Sequence, residues 1–141
     1  MSMLEDHTIR HILATCKTIA VVGLSPKPHR ASFDVSRYMQ AHGWRIIPVN
    51  PAAVASGATI LGEKVYATLQ EAAQHEKIDL VNVFRNSEDV PPVVDEAIAI
   101  GALAVWLQLG IVNDPALEKA RAAGLQVIQD KCLKVEHAIR A

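Results

Sequence analysis

The sequence has no surplus of charge of either sign. Fourteen Lys and Arg stand against fifteen Asp and Glu, a formal net charge of -1 over 141 residues. A protein that grips duplex nucleic acid through its phosphates carries a basic excess, so that partner class is disfavoured and any anion site must be local. Aromatic residues make up only 4%, too few for the stacking platforms that hold single strands. The only cysteines are Cys16 and Cys132, with no CxxC pair. That argues against a disulfide framework or a thiolate zinc site and fits a reducing, cytoplasmic setting. No window reaches the ~18 apolar residues of a membrane helix. The charged stretch MSMLEDHTIRHILATC lacks the apolar centre of a signal peptide. A Walker loop, a GxSxG elbow and an HExxH pair are also missing.

What is present is apolar residues, 50% of the chain, enough to bury a sizeable core. Length and the lack of any linker, repeat or low-complexity tract predict a single domain over residues 1–141. Apolar runs alternate with helical patterns. Residues 4–16 read as a helix and 18–22 (TIAVV) as a strand buried on both faces. Ser32 is expected to cap a helix ending near His42, and residues 44–49 form the second strand. Its Pro48 removes a backbone donor and should lie at an edge or past the last ladder bond. From Asn50 a loop runs to about Thr68, followed by a short helix. Strands over 79–84, 103–109 and 125–129 then alternate with helices over 87–100, 113–123 and 133–141.

Strands and helices alternating in this way predict an α/β fold. The expected form is a doubly wound, Rossmann-like, five-stranded parallel sheet with strand order 3-2-1-4-5. Ligands of such sheets bind beyond the carboxyl ends of the strands, at the switch point, here expected between strands 1 and 4. Four short stretches therefore carry the candidate chemistry.

GLSPKPHRAS (23–32) follows the first strand, where a dinucleotide fingerprint would stand, but the second and third glycines of GxGxxG are absent. The start of the next helix still suits an anion, with Lys27, His29 and Arg30 as cations and Ser25 and Ser32 as hydroxyl donors. The alternative is a solvated turn. PVNP (48–51) ends the second strand without the acid that grips an NAD ribose. Asn50 there can offer an amide to a nucleotide, or simply turn the chain with Pro51. In VFRNSEDVPP (83–92), Arg85 lies just past the strand end, where its fork suits phosphate or a surface pair with Glu88 or Asp89. In WLQLGI (106–111), Trp106 reads as core, while Gln108 is either a pocket residue or a structural one. His7 and His11 share a helix face but have no third metal ligand nearby. Cys132 is either a structural thiol or a reactive one at the ligand edge.

Taken together, GLSPKPHRAS, PVNP, VFR with VPPVVDEAI, VWLQLGI and DKCLKVEH resemble the small CoA-binding proteins. These are stand-alone Rossmann-like domains similar to the N-terminal domain of the succinyl-CoA synthetase α subunit. The resemblance runs from about residue 15 to the C-terminus. It implies coenzyme A or acyl-CoA across the carboxyl edge of the sheet. Gly23, Leu24, Ser25, Arg30 and Ser32 would hold phosphates, Val49, Asn50 and Pro51 would border the nucleotide, and Phe84, Arg85 and Val90 would close the opposite wall. A synthetase also needs a phosphorylated histidine from a further domain and an ATP-grasp partner. The expectation is therefore a cytoplasmic binding module without catalytic residues or metal. The alternatives are an NAD(P)-dependent enzyme and a nucleotide-binding subunit of an acyl-CoA synthetase. A protein partner or homo-oligomer is left open.

Overall fold

The computed structural model of the chain describes residues 3–141. Its elements alternate as α1 (Met3–Thr15), β1 (Thr18–Val22), α2 (Ala31–Ala41), β2 (Arg45–Val49), α3 (Pro51–Ser56), α4 (Leu69–Ala73), β3 (Leu80–Val83), α5 (Val90–Ala99), β4 (Ala104–Leu107), α6 (Asp114–Ala122), β5 (Gln126–Ile128) and α7 (Leu133–Ala138). The five strands are parallel and ordered β2-β1-β3-β4-β5. The expected class is observed, and the expected order 3-2-1-4-5 is corrected. β3 lies beside β1 on the side away from β2, so the switch point falls between β1 and β3 rather than between strands 1 and 4.

Pro48 shows the physical reason. The Val49 carbonyl accepts from Gly23 N at 2.9 Å, so the polar groups of Val49 face β1. Its neighbour Pro48 therefore faces outward, where its carbonyl accepts from Tyr66 N at 3.0 Å. Between two strands, as the order 3-2-1 demands, Pro48 would owe its outer neighbour an N–H it does not have. The strand LVNV, buried at all four positions, takes the interior place instead.

Residues alternate between the two faces of each strand, as the pleat requires. Ile19, Val21, Leu80 and Trp106 join Ile9, Ile12, Met39 and Leu133 under α1, α2 and α7. Ala20, Val22, Val81 and Leu107 join Val94 and Leu117 under α5 and α6. Trp106 is core, as expected, with its Nε1 donating to the Lys131 carbonyl at 2.9 Å.

Two local expectations are corrected. Ser32 does not cap α2. Arg30 holds the cap position with extended backbone and makes no side-chain cap bond, while Ser32 lies buried inside the first turn. The stretch after Asn50 is not wholly loop, because Asn50 caps α3 by accepting from Ala52 N (3.0 Å) and Ala53 N (3.3 Å). Pro51 takes the first helical position, where its missing N–H costs nothing.

α7 is clamped between α1 and α2. Lys134 Nζ donates to Asp34 (2.9 Å), Tyr38 Oη meets His137 Nδ1 (2.9 Å), and Arg140 pairs with Asp6 (2.7 Å). The hydrogen bond from Lys134 holds the Asp34 carboxyl below its ordinary value of 3.8, and bonds from Arg10 and Arg140 do the same for Asp6. Their folded pKa values lie below the unfolded ones. The clamp is therefore complete above the ordinary carboxylate range and is lost as pH falls through the lowered values. The melting temperature should begin to fall once pH drops below the ordinary histidine value of 6.5, because burial lowers the His137 pKa, and fall further below about pH 4 as the carboxylates are protonated. Circular-dichroism melts of Lys134→Ala should show a shallower acid decline than wild type.

Candidate functional site

The carboxyl ends of β1, β2 and β3 are stitched together. Phe84 N donates to the Val22 carbonyl at 2.8 Å, and Gly23 N to the Val49 carbonyl at 2.9 Å. Gly23 has φ +88°, and a Cβ there would stand 2.3 Å from the Phe84 carbonyl oxygen. Only glycine lets the two strand exits come this close.

Beyond Gly23 the chain folds back onto the first turn of α2. Ser25 N donates to Ser32 Oγ (2.9 Å), Lys27 N to Ser25 Oγ (3.1 Å), and Arg30 N to the Lys27 carbonyl (3.0 Å). Asn50 Nδ2 donates to the Leu24 carbonyl at 2.9 Å, so one asparagine caps α3 and braces this loop. The first intrahelical donor of α2 is Asp34 N, bonded to the Arg30 carbonyl at 3.1 Å. The N–H groups of the turn before it have no acceptor inside the helix and carry the positive end of its dipole.

This turn, with Gly23, Ser25, Lys27, Arg30, Ser32 and Phe84, bounds a cavity of about 350 Å³. Lys27, His29 and Arg30 are exposed. The ion pairs found among the described residues use other cations. Positive charge, hydroxyl groups and helix N–H groups thus converge at the switch point, an arrangement that suits phosphate.

A second cavity of about 570 Å³ adjoins it. Phe84 lines both, and the second is otherwise bounded by Arg85, Asn86, Ser87, Glu88, Gly110 and Ile111. α5, which follows the Ser87–Asp89 segment, opens Val90-Pro91-Pro92. Its two prolines have no N–H, so it lacks the free donors that α2 offers. A hollow of about 460 Å³ between α1 and β5, lined by Glu5, Thr8 and Arg121 among others, brings together no such set.

The expected residues divide into groups. Gly23, Ser25, Arg30 and Ser32 line the first cavity, Arg85 the second, and Phe84 both. Leu24, Val49 and Val90 are buried in the core at 0%, 3% and 0% exposure, so the cleft sees their backbone position rather than their side chains. Asn50 is engaged at both ends of its amide, and Pro51 is the exposed first residue of α3. Gln108 proves structural, since its Oε1 accepts from Leu133 N at 2.9 Å.

Ser87 and Gly110 also line the second cavity, beyond the expected residues. Ser87 Oγ accepts from Val112 N at 3.0 Å, a bond that depends on β3 and β4 being neighbours and leaves no mark in a sequence. Gly110 does carry one signal, a glycine directly past a strand. Cys16 is buried, which pushes its thiol up to about 11, and Cys132 is half-buried. Among the described residues no three His, Cys, Asp or Glu form a metal-binding group, and no helix is long and apolar enough to cross a membrane.

The fold is Rossmann-like, and its switch point carries a cleft lined by Lys27, Arg30, Ser25 and Ser32. The profile of the CoA binding domain family matches residues 17–138, and the chain belongs to that family. It is 44% identical over 131 residues, 93% of each chain, to the uncharacterized protein YneT of Bacillus subtilis (strain 168). Its structure is similar to that of cell-free ID.343 from Thermus thermophilus, with TM-score 0.86 and 35% identity over 95% of this chain and 97% of that one. It also shares its fold with part of the apo dinucleotide-forming acetyl-coenzyme A synthetase 1 of Ca. Korarchaeum cryptofilum. The TM-score there is 0.69 at 21% identity, covering 81% of this chain and 26% of that one.

Gly23→Ala should be destabilising by more than about 1 kcal/mol, because the added methyl meets backbone and the positive φ is strained. Urea unfolding of the variant against wild type measures this.

Proposed function

We propose that the chain binds coenzyme A or acyl-CoA reversibly, as a cytoplasmic binding module with no turnover of its own. The observation that carries this reading is the first cavity, where the α2 N-terminus, Ser32, Lys27 and Arg30 bound one space at the switch point. Coenzyme A carries a pyrophosphate and a 3′-phosphate on an otherwise extended molecule. A neutral protein with cations gathered at one edge suits such a ligand, because the attraction is local and the helix end supplies directed donors.

Membership of the CoA binding domain family supports the same ligand. An NAD reading lacks its acid, since β2 ends in Val49 and Asn50 and the Asn50 amide is already engaged with Leu24 and α3.

Isothermal titration under reducing conditions should give saturable CoA binding in the micromolar range or tighter. Arg30→Ala should weaken it by about 1.5–3 kcal/mol, the loss of a charge-assisted contact. In a thermal-shift panel, CoA and acetyl-CoA should raise the melting temperature more than NAD, NADP, ATP or FMN. Absence of CoA binding by both methods overturns the reading.

A further inference from the structure

We propose that the cleft has two anion stations divided by Phe84, and that Arg85 forms the second. It would receive a separate anionic group of the same ligand, either the nucleotide 3′-phosphate or a terminal carboxylate on the acyl chain. This rests on the reading of the chain as a CoA or acyl-CoA binder and adds which groups of the ligand are selected.

Phe84 lines both cavities. Arg30 and Lys27 line only the first, and Arg85 only the second. Arg85 is half-buried, and the ion pairs and side-chain hydrogen bonds found among the described residues do not include it, although Glu88 and Asp89 follow within a turn. With no acid paired to it, the Arg85 guanidinium keeps its fork of donors free for an incoming anion. The neighbouring donors, the Asn86 amide and the Ser87 hydroxyl, are neutral. Ser87 Oγ accepts from Val112 N and its carbonyl from Asn113 Nδ2 at 2.9 Å, which fixes the residue and leaves its O–H as a neutral donor beside Arg85. Pro91 and Pro92 remove helix donors from the start of α5. Arg85 is the cation in the lining of this cavity, and its fork is shaped for phosphate or carboxylate.

The test compares wild type, Arg85→Gln and Arg85→Lys by isothermal titration with CoA, dephospho-CoA, butyryl-CoA, succinyl-CoA and ADP. Arg85→Gln should lose at least about ten-fold in affinity for a ligand that carries the second anion, relative to its loss for the matched ligand without it. Arg85→Lys should keep part of that difference. If the excess loss appears between CoA and dephospho-CoA, the second anion is the 3′-phosphate. If it appears between succinyl-CoA and butyryl-CoA, it is the acyl carboxylate. Both outcomes support two stations. An equal loss across all five ligands, or no loss, overturns the proposal while leaving CoA binding intact. Failure of wild type to bind CoA overturns the underlying reading instead.

Discussion

The cleft depends on the close approach of two strand exits, Gly23 after β1 and Phe84 after β3. The gap between Gly23 and the Phe84 carbonyl has no room for a Cβ, and the Phe84 N–H is bonded to the last residue of β1. This meeting turns the β1–α2 loop toward the helix start. It also sets the Phe84 side chain as a wall common to both cavities. The adjacency of β1 and β3 makes the meeting possible, so the topology and the site share one physical cause.

The polar bonds around that point are arranged so that the protein satisfies most of its own groups. Asn50 braces the loop at Leu24 while capping α3, and Ser32 Oγ holds Ser25 N. Arg85, Lys27 and Arg30 are left facing the cavities. The two helix starts at this edge are chemically unlike. α2 opens with backbone donors, whereas α5 opens on two prolines and follows two acids. Positive potential is thereby concentrated on the α2 side, and a net charge of -1 is compatible with a local polyanion site.

Much of this was legible in the sequence. The five strands, the core role of Trp106 and the cationic loop 23–32 follow from apolar runs, glycine stops and charge clustering. The edge character of β2 followed from Pro48 and contradicts the strand order 3-2-1-4-5 that was expected beside it. Order is the less legible property, because alternation of strands and helices is the same for both arrangements and only partner choice separates them. Asn50-Pro51 carried a readable helix start, a capping side chain before a proline. Ser32 illustrates the reverse case, a capping residue type at the second helical position, where its hydroxyl accepts from Ser25 N of the preceding loop.

By itself, the sequence determined the class of fold, the number of strands and the edge at which charge collects, since these depend on local periodicity and on residues close in the chain. It also held the family resemblance, carried by five motifs in order. Only the tertiary structure decided which strands are neighbours. From that followed which of the motif residues face a cavity and which, like Leu24, Val49 and Val90, are buried as core. The division of the cleft at Phe84 and the isolation of Arg85 from Arg30 likewise belong to the tertiary structure. They arise where segments distant in sequence meet, and no local pattern encodes the distance between them.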